Sequence, residues 1–236
     1  MLWYKAWLET RARFVTSLLA LTLFCGLFVH HALGQIRPEW KSDFHRLLYV
    51  TQEFMAILWI MSVLLVGMGG IVHEKAVGTS SLSLSFPVSR GRLQHTRVGV
   101  GILEVVVLGV APWLTIFMVS VHANMPVLIT QVGFYVALLV SGGLVYYAMA
   151  ILVSSLIEGA YTAPAVAIGL VFLSVIVLDS WFKRVSLWGF LTGAFYIDKK
   201  TFELTGHFPW LGTLVCIGAA TLMLVASTKA VQRHEF

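Results

Sequence analysis

Residues 98–121 of this chain read VGVGILEVVVLGVAPWLTIFMVSV, and this stretch decides the fold class. It carries a single charged side chain, Glu104, and is longer than the about 20 apolar residues that a helix needs to cross a bilayer. Because lipid offers no water to backbone polar groups, such a run is expected to be helical. Similar runs lie near 14–33, 52–72, 127–153, 160–178 and 208–228. The sequence therefore predicts an all-α membrane protein with six transmembrane helices.

The composition agrees with this class. Hydrophobic residues make up 58% of the chain and charged residues 11%, against about 25% charged in an average soluble domain. The six runs use more than half of the 236 residues, which leaves too little for a separate soluble domain. We therefore expect one membrane domain, residues 1–236. The 16 Lys and Arg residues are scattered near the ends of the runs rather than gathered in a stripe, so they predict contacts with the lipid membrane and no nucleic-acid partner.

The distribution of basic residues favours cytosolic placement of both termini. Four of them lie around the connection between the second and third runs, and none lies between the third and fourth. Connections rich in Lys and Arg tend to stay on the cytosolic side. Ahead of the first run, Trp3, Trp7 and Phe14 fall near one face of a helix, with charged residues mostly elsewhere. This pattern predicts an amphipathic N-terminal helix lying in the interface.

The connection after the second run has an ambiguous periodicity. Residues 81–86 alternate polar and apolar side chains, which alone would indicate a strand. An isolated strand would lack a pairing partner, whereas a helix satisfies its own backbone. We therefore predict a short interfacial helix from Glu74 to Ser85, ended by Pro87, because the residue before a proline is pushed out of the helical region.

The residues of this connection form a recognisable pattern, which continues to the start of the third run. Its members are Glu74, Gly78, Thr79, Leu82, Leu84, Pro87, Val88, Ser89 and Arg90. The pattern resembles the Glu-x-x-x-Gly-Thr … Leu … Pro-x-Ser-Arg motif of type-2 permease subunits of ATP-binding-cassette (ABC) exporters. The six-span layout, the amphipathic N-terminal segment and the short basic tail at residues 228–233 are similar too. One departure is Arg97, where the family usually carries lysine; the charge is kept, but the contact can change.

The resemblance implies a division of labour between subunits. This chain would be the membrane-spanning subunit of an exporter that moves an amphipathic or lipid-like substrate out of the cytoplasm. It would pair with a second permease subunit, identical or different, in the bacterial cytoplasmic (inner) membrane. An ABC ATPase subunit would bind ATP and magnesium. The chain itself has no Gly-x-x-x-x-Gly-Lys-Ser/Thr phosphate loop, so we expect neither a cofactor nor an enzyme activity in it.

The same resemblance implies where the two kinds of subunit meet. Residues 74–90 would form a cytosolic coupling helix on the ATPase, with Glu74, Gly78, Pro87 and Arg90 in the contact. A second contact would involve Glu158 and Gly159, in the turn between the fourth and fifth runs. An ordinary polar connection between two helices explains that turn equally well.

Glu104 is the candidate for the substrate path. It lies about two turns into the third run, and Pro112 further along is expected to kink the same helix. A carboxylate at this depth costs a few kcal/mol and normally faces a bundle interior or a water-filled cavity. The structural alternative is a pair with Arg97, seven residues earlier and close to the same helical face.

Other function classes find less support in the residues. A secondary transporter or channel would carry several intramembrane charges and often internal repeats, but only Glu104 lies clearly inside a run. A membrane enzyme lacks its motifs, because His73-Glu74 has no second zinc-binding histidine and no Gly-x-Ser-x-Gly elbow occurs. Several histidines fall near the predicted outer side without a ligand spacing, so no metal site is predicted. A permease for haem or for metal-enzyme maturation remains an alternative.

Overall fold

The computed structural model describes residues 2–34, 41–68, 89–125, 127–157, 159, 161–178, 186–198, 202, 204 and 208–233. Seven α-helices occur in these ranges. They are α1 (Leu2–Leu33), α2 (Lys41–Gly67), α3 (Arg90–His122), α4 (Ile129–Leu156), α5 (Thr162–Leu173), α6 (Leu187–Thr192) and α7 (Trp210–Arg233). A π-helical turn, Ser174–Leu178, continues α5. The described residues form no strand, and their one β-bridge joins Ile197 to Leu204. The prediction of an all-α protein is confirmed.

Five of these helices, α1 to α4 and α7, are long and apolar enough to cross a membrane. The fifth predicted span corresponds to α5 and most of its π-helical turn, a shorter apolar helix over Thr162–Val177. The chain is therefore an integral membrane protein, as its composition predicted. The count of six spans remains a prediction.

The N-terminal segment differs in form from the prediction. The sequence predicts an amphipathic N-terminal helix ahead of a span at 14–33, and both regions lie in the single helix α1 of 32 residues. Residues 2–25 contain neither glycine nor proline, so nothing in the local sequence interrupts the helix. At a rise of 1.5 Å per residue, α1 is about 48 Å long, which exceeds the hydrocarbon core. Helix α1 is therefore longer than one membrane span requires, and the predicted amphipathic segment is part of this same helix.

Helix α4 lies at the centre of the bundle and packs against α2, α3, α5, α6 and α7. Two glycines permit these close approaches. A Cβ atom added to Gly143 on α4 would lie 1.4 Å from Trp59 Cη2, and one added to Gly101 on α3 would lie 1.8 Å from Tyr147 Oη. The Tyr147 hydroxyl donates to the Val98 carbonyl at 3.3 Å. The large rings of α2 and α4 thus fill the space that these glycines leave empty.

Helix α3 begins with a side-chain cap and continues through its proline. Ser89 is the N-cap residue, and its hydroxyl accepts from the Arg92 amide at 3.4 Å. Pro112 lies inside the helix, ten residues before its end at His122. Because α3 also packs along α1, it carries Glu104 and Arg97 to the face that α1 covers.

Candidate functional site

A cluster of charged side chains joins α1 to α3. Arg97 Nη1 on α3 lies 3.6 Å from Glu9 Oε2 on α1. One turn earlier on α1, Lys5 Nζ lies 3.7 Å from Glu9 Oε1. Glu9 therefore stands between two basic groups, one from its own helix and one from α3. The Arg97 side chain is 11% exposed, so this ion pair is better shielded from solvent than an ordinary surface pair.

The same cluster holds the end of α2. Arg13 on α1 donates to the carbonyl of Met68, the residue that follows α2, and Arg97 Nη2 approaches the same carbonyl at 3.5 Å. The Arg13 guanidinium also reaches the Leu65 carbonyl at 3.4 Å. The last carbonyls of a helix lack partners within it and carry partial negative charge, so two guanidinium groups are suited to this position. The described chain breaks off at Met68 and resumes at Ser89.

Glu104 lies deeper on the same α1–α3 face. Its side chain is 4% exposed, and its Oε1 accepts a hydrogen bond of 2.5 Å from the Thr10 hydroxyl. Its second oxygen, Oε2, is buried and has no hydrogen-bond partner among the described residues. Within the described chain, the ion pair of Arg97 is with Glu9 and not with Glu104. The alternative that pairs Glu104 with Arg97 is therefore not what the geometry shows.

Glu104 also borders an apolar groove on the surface between α1 and α3. The groove has a volume of about 420 Å³. It is lined by Trp3, Trp7, Phe14, Val100, Leu103, Glu104 and Val107. Leu103 is 60% exposed, so the groove is open on the outside of the bundle. Among the described residues, Glu104 is its one ionisable lining residue, and three of the other six are aromatic.

Most of the residues predicted for ATPase coupling lie outside the described part of the chain. Glu74, Gly78, Pro87 and Glu158 lie outside the described residues, and Arg90 is described only as the first residue of α3. Gly159 lies between α4 and α5 with a φ of 137°, a backbone conformation that favours glycine. A Cβ atom there would also lie 2.2 Å from Thr162 Oγ1. This glycine is thus explained by local geometry, and the coupling role of all six residues stays a prediction.

Sequence reasoning missed two polar residues that organise the bundle. Thr10 was not singled out, because a threonine in an amphipathic helix carries no distinctive signal. Gln52 on α2 is fully buried: its Oε1 accepts from Trp113 Nε1 at 3.0 Å and its Nε2 donates to the Leu191 carbonyl at 2.8 Å. Gln52 thereby links α2, α3 and α6. In the sequence, the signal for Gln52 is a polar amide at the start of the long apolar run 52–72.

The described residues contain no group of three or more His, Cys, Asp or Glu side chains placed to hold a metal ion.

A family model described as "ABC-2 family transporter protein" matches residues 10–186. The chain belongs to this family. The match runs from Thr10 to Ser186 and so includes Met68, Arg97 and Glu104. The resemblance drawn from the motif is confirmed, and the chain is a permease subunit of an ABC transporter. Permease subunits of the ABC-2 family lack an ATPase domain and normally work with an ABC ATPase in the membrane. No curated protein matches this ABC-2 permease.

Proposed function

We propose that this ABC-2 permease is the membrane subunit of an exporter that moves an amphipathic or lipid-like substrate out of the cytoplasm. A separate ABC ATPase would bind ATP and magnesium and drive the transport. The observation that carries the proposal is the charged cluster, because it joins α1 and α3 to the end of α2 at the point where the proposed coupling segment leaves the bundle.

In this mechanism, residues 74–85 form a coupling helix on the ATPase. Glu74, Gly78, Pro87 and Arg90 make the contact, and Glu158 and Gly159 contribute a second one. Closure of the ATPase would push on both ends of the segment, at Met68 and at Ser89. The Met68 carbonyl is bound by guanidinium groups of α1 and α3, so a displacement there would move three helices together.

The proposed arrangement has six spans: α1 to α4, α5 with its π-helical turn, and α7. Both termini are cytosolic, which places the charged cluster in the cytosolic half. Two permease subunits, identical or different, assemble with two ATPase subunits in a bacterial inner membrane. Glu104 lines the inward-facing substrate path; its burial and the free Oε2 beside a groove support this role.

The decisive experiment is reconstitution with a candidate ABC ATPase, such as one encoded by a neighbouring gene. Photo-crosslinkers placed one at a time at positions 76–86 should reach that ATPase in the assembled complex, and a crosslinker at position 222 on the exposed face of α7 should not. ATP hydrolysis by the ATPase should rise on assembly in proteoliposomes. A complex without crosslinks from any of these positions would refute the coupling assignment. Transport driven by an ion gradient without ATP would favour a secondary transporter instead.

A further inference from the structure

We infer that the groove between α1 and α3 binds a hydrophobic organic cation, an ammonium group with apolar substituents. The groove is the one lined by Trp3, Trp7, Phe14 and four residues of α3. This inference rests on the proposed function and names the class of substrate that the exporter takes from the cytoplasmic side.

The first argument is the free oxygen of Glu104. A buried charged group that lacks a partner is costly, and a positive charge brought close to it lowers this cost. Thr10 satisfies Oε1 at 2.5 Å, while Oε2 is buried without a partner among the described residues. A carboxylate oxygen accepts hydrogen bonds and attracts positive charge. The complementary ligand group is therefore a cation.

The second argument is the character of the walls. Trp3, Trp7 and Phe14 bring three aromatic rings to the lining, and indole is the best aromatic partner for an organic cation. Val100, Leu103 and Val107 complete an apolar lining for the substituents of that cation. The volume of about 420 Å³ lies within the range of small-molecule sites. It suits a compact ammonium compound better than a two-chain phospholipid.

The third argument concerns the neighbouring positive charges. Arg97 contacts Glu9 and the Met68 carbonyl, Lys5 contacts Glu9, and Arg13 contacts Met68. Among the described residues, none of these groups forms an ion pair with Glu104. An anionic ligand would meet the carboxylate alone in the groove, and an apolar helix from a second copy would leave Oε2 without a partner. Charge complementarity therefore favours the organic cation.

The test uses the purified full-length permease in an uncharged maltoside detergent, without any ATPase. The probes are benzyltrimethylammonium and its uncharged carbon isostere, neopentylbenzene, with binding followed by calorimetry against a detergent blank. We expect the cation to bind about tenfold or more tightly than the isostere, since only the cation gains Coulomb attraction to Glu104 and cation–π contacts with the tryptophans. Equal binding of the two probes would overturn the inference.

Variants locate the site. Glu104→Gln keeps the shape of the side chain and should weaken cation binding about tenfold while leaving the isostere unaffected. Glu53→Gln is the matched control, because that carboxylate accepts from the Tyr49 hydroxyl at 2.6 Å and does not line the groove. Leu103→Trp should fill the exposed groove and weaken both probes. If Glu104→Gln fails to fold, Leu103→Trp alone tests the site. Unchanged binding of both probes in Leu103→Trp would refute the site.

Two further outcomes identify other occupants. Phosphatidylethanolamine and phosphatidylglycerol are added at the same ratio of lipid to protein. If only phosphatidylethanolamine displaces the probe, the groove holds a membrane lipid and the inference fails. If Leu103→Trp turns a dimer into a monomer without affecting the probe, the groove is an interface between copies. Because no ATPase is present, failure of cation binding leaves the proposed ABC exporter intact. Conversely, a failed ATPase assembly would not alter the binding result.

Discussion

The Thr10 hydroxyl donates to Glu104 Oε1 at 2.5 Å and so joins two residues that lie 94 positions apart in the sequence. Glu9, the neighbour of Thr10, forms the ion pair with Arg97 on the same pair of helices. One turn of α1 therefore contacts both Arg97, which reaches the end of α2, and Glu104, which borders the groove. Any sliding of α1 along α3 would disturb both contacts at once, which connects the proposed coupling end to the proposed substrate path.

The first prediction concerns Thr10→Val, which keeps the volume of the side chain and removes its hydroxyl. Both oxygens of Glu104 would then lack a protein partner in a buried position. We expect the free energy of unfolding to fall by about 1.5–3 kcal/mol, the range for hydrogen bonds to charged groups. Thermal unfolding in detergent, followed by tryptophan fluorescence, measures this loss.

Thr16→Val is the control for that variant. Thr16 is exposed on α1, and its hydroxyl bonds only to the Ala12 and Arg13 carbonyls of its own helix. The same chemical change should therefore have little effect on stability there. Equal melting temperatures for the two variants would show that the Thr10–Glu104 contact contributes nothing.

The second prediction concerns Arg97→Lys, which keeps the charge of the side chain and changes its geometry. The guanidinium uses Nη1 for Glu9 and Nη2 for the Met68 carbonyl, and a single ammonium nitrogen cannot reproduce this two-pronged geometry. We expect a loss of about 0.5–1.5 kcal/mol in stability, the worth of one ordinary hydrogen bond. A double-mutant cycle with Glu9→Gln should give a non-zero coupling energy, whereas additive effects would argue against the pair.

The sequence was sufficient to predict the helical membrane class and the family. Long apolar runs require helices in lipid, and the residues from Glu74 to Arg90 carried the motif whose family the match over residues 10–186 confirms. The buried position of Glu104 was also predictable, since a charge in an apolar run seldom faces lipid. These inferences depend on how long apolar runs behave in lipid and on a short motif. Both can be read from a single sequence.

The partners within the bundle were beyond the reach of the sequence. Periodicity places Glu104 on a face of α3 but cannot say that Thr10 of α1, rather than Arg97 of the same helix, meets its carboxylate. The continuity of α1 could not be predicted for a similar reason. An amphipathic segment and an apolar span can share one helix when no glycine or proline separates them, and composition alone does not mark the junction.

The third prediction concerns the proposed coupling segment. Glu74→Ala and Arg90→Ala should each lower transport or uncouple ATP hydrolysis from transport. Membrane insertion should stay normal in both variants. The exposed Arg92→Ala, two residues into α3, is the control and should retain coupling. Full coupling in both Glu74→Ala and Arg90→Ala would remove these residues from the contact.

The fourth prediction concerns topology. In a variant whose buried Cys25 and Cys216 are replaced by alanine, single cysteines at positions 2 and 236 should be shielded from an impermeant thiol reagent in intact cells. A cysteine at position 195, where Phe195 is exposed, should be labelled. The reverse labelling pattern would place both termini outside.

The fifth prediction concerns Gln52→Leu, which has a similar volume and no polar atoms. It would leave Trp113 Nε1 and the Leu191 carbonyl without their partner in the interior of a membrane protein, where water does not replace it. Each orphaned group costs about 1–3 kcal/mol. Since the Leu191 contact ties α6 to α2, we expect α6 to loosen before the rest of the bundle.

Hydrogen exchange by mass spectrometry separates this local effect from general destabilisation. Amides of residues 187–192 should lose protection in Gln52→Leu, while those in the middle of α4 should keep it. Gln131→Leu, the same substitution at a half-buried position on α4, is the matched control and should leave α6 protected. If α6 and α4 lose protection together, Gln52 supports the whole bundle. If neither changes, the contact between Gln52 and Leu191 does not hold α6 in place.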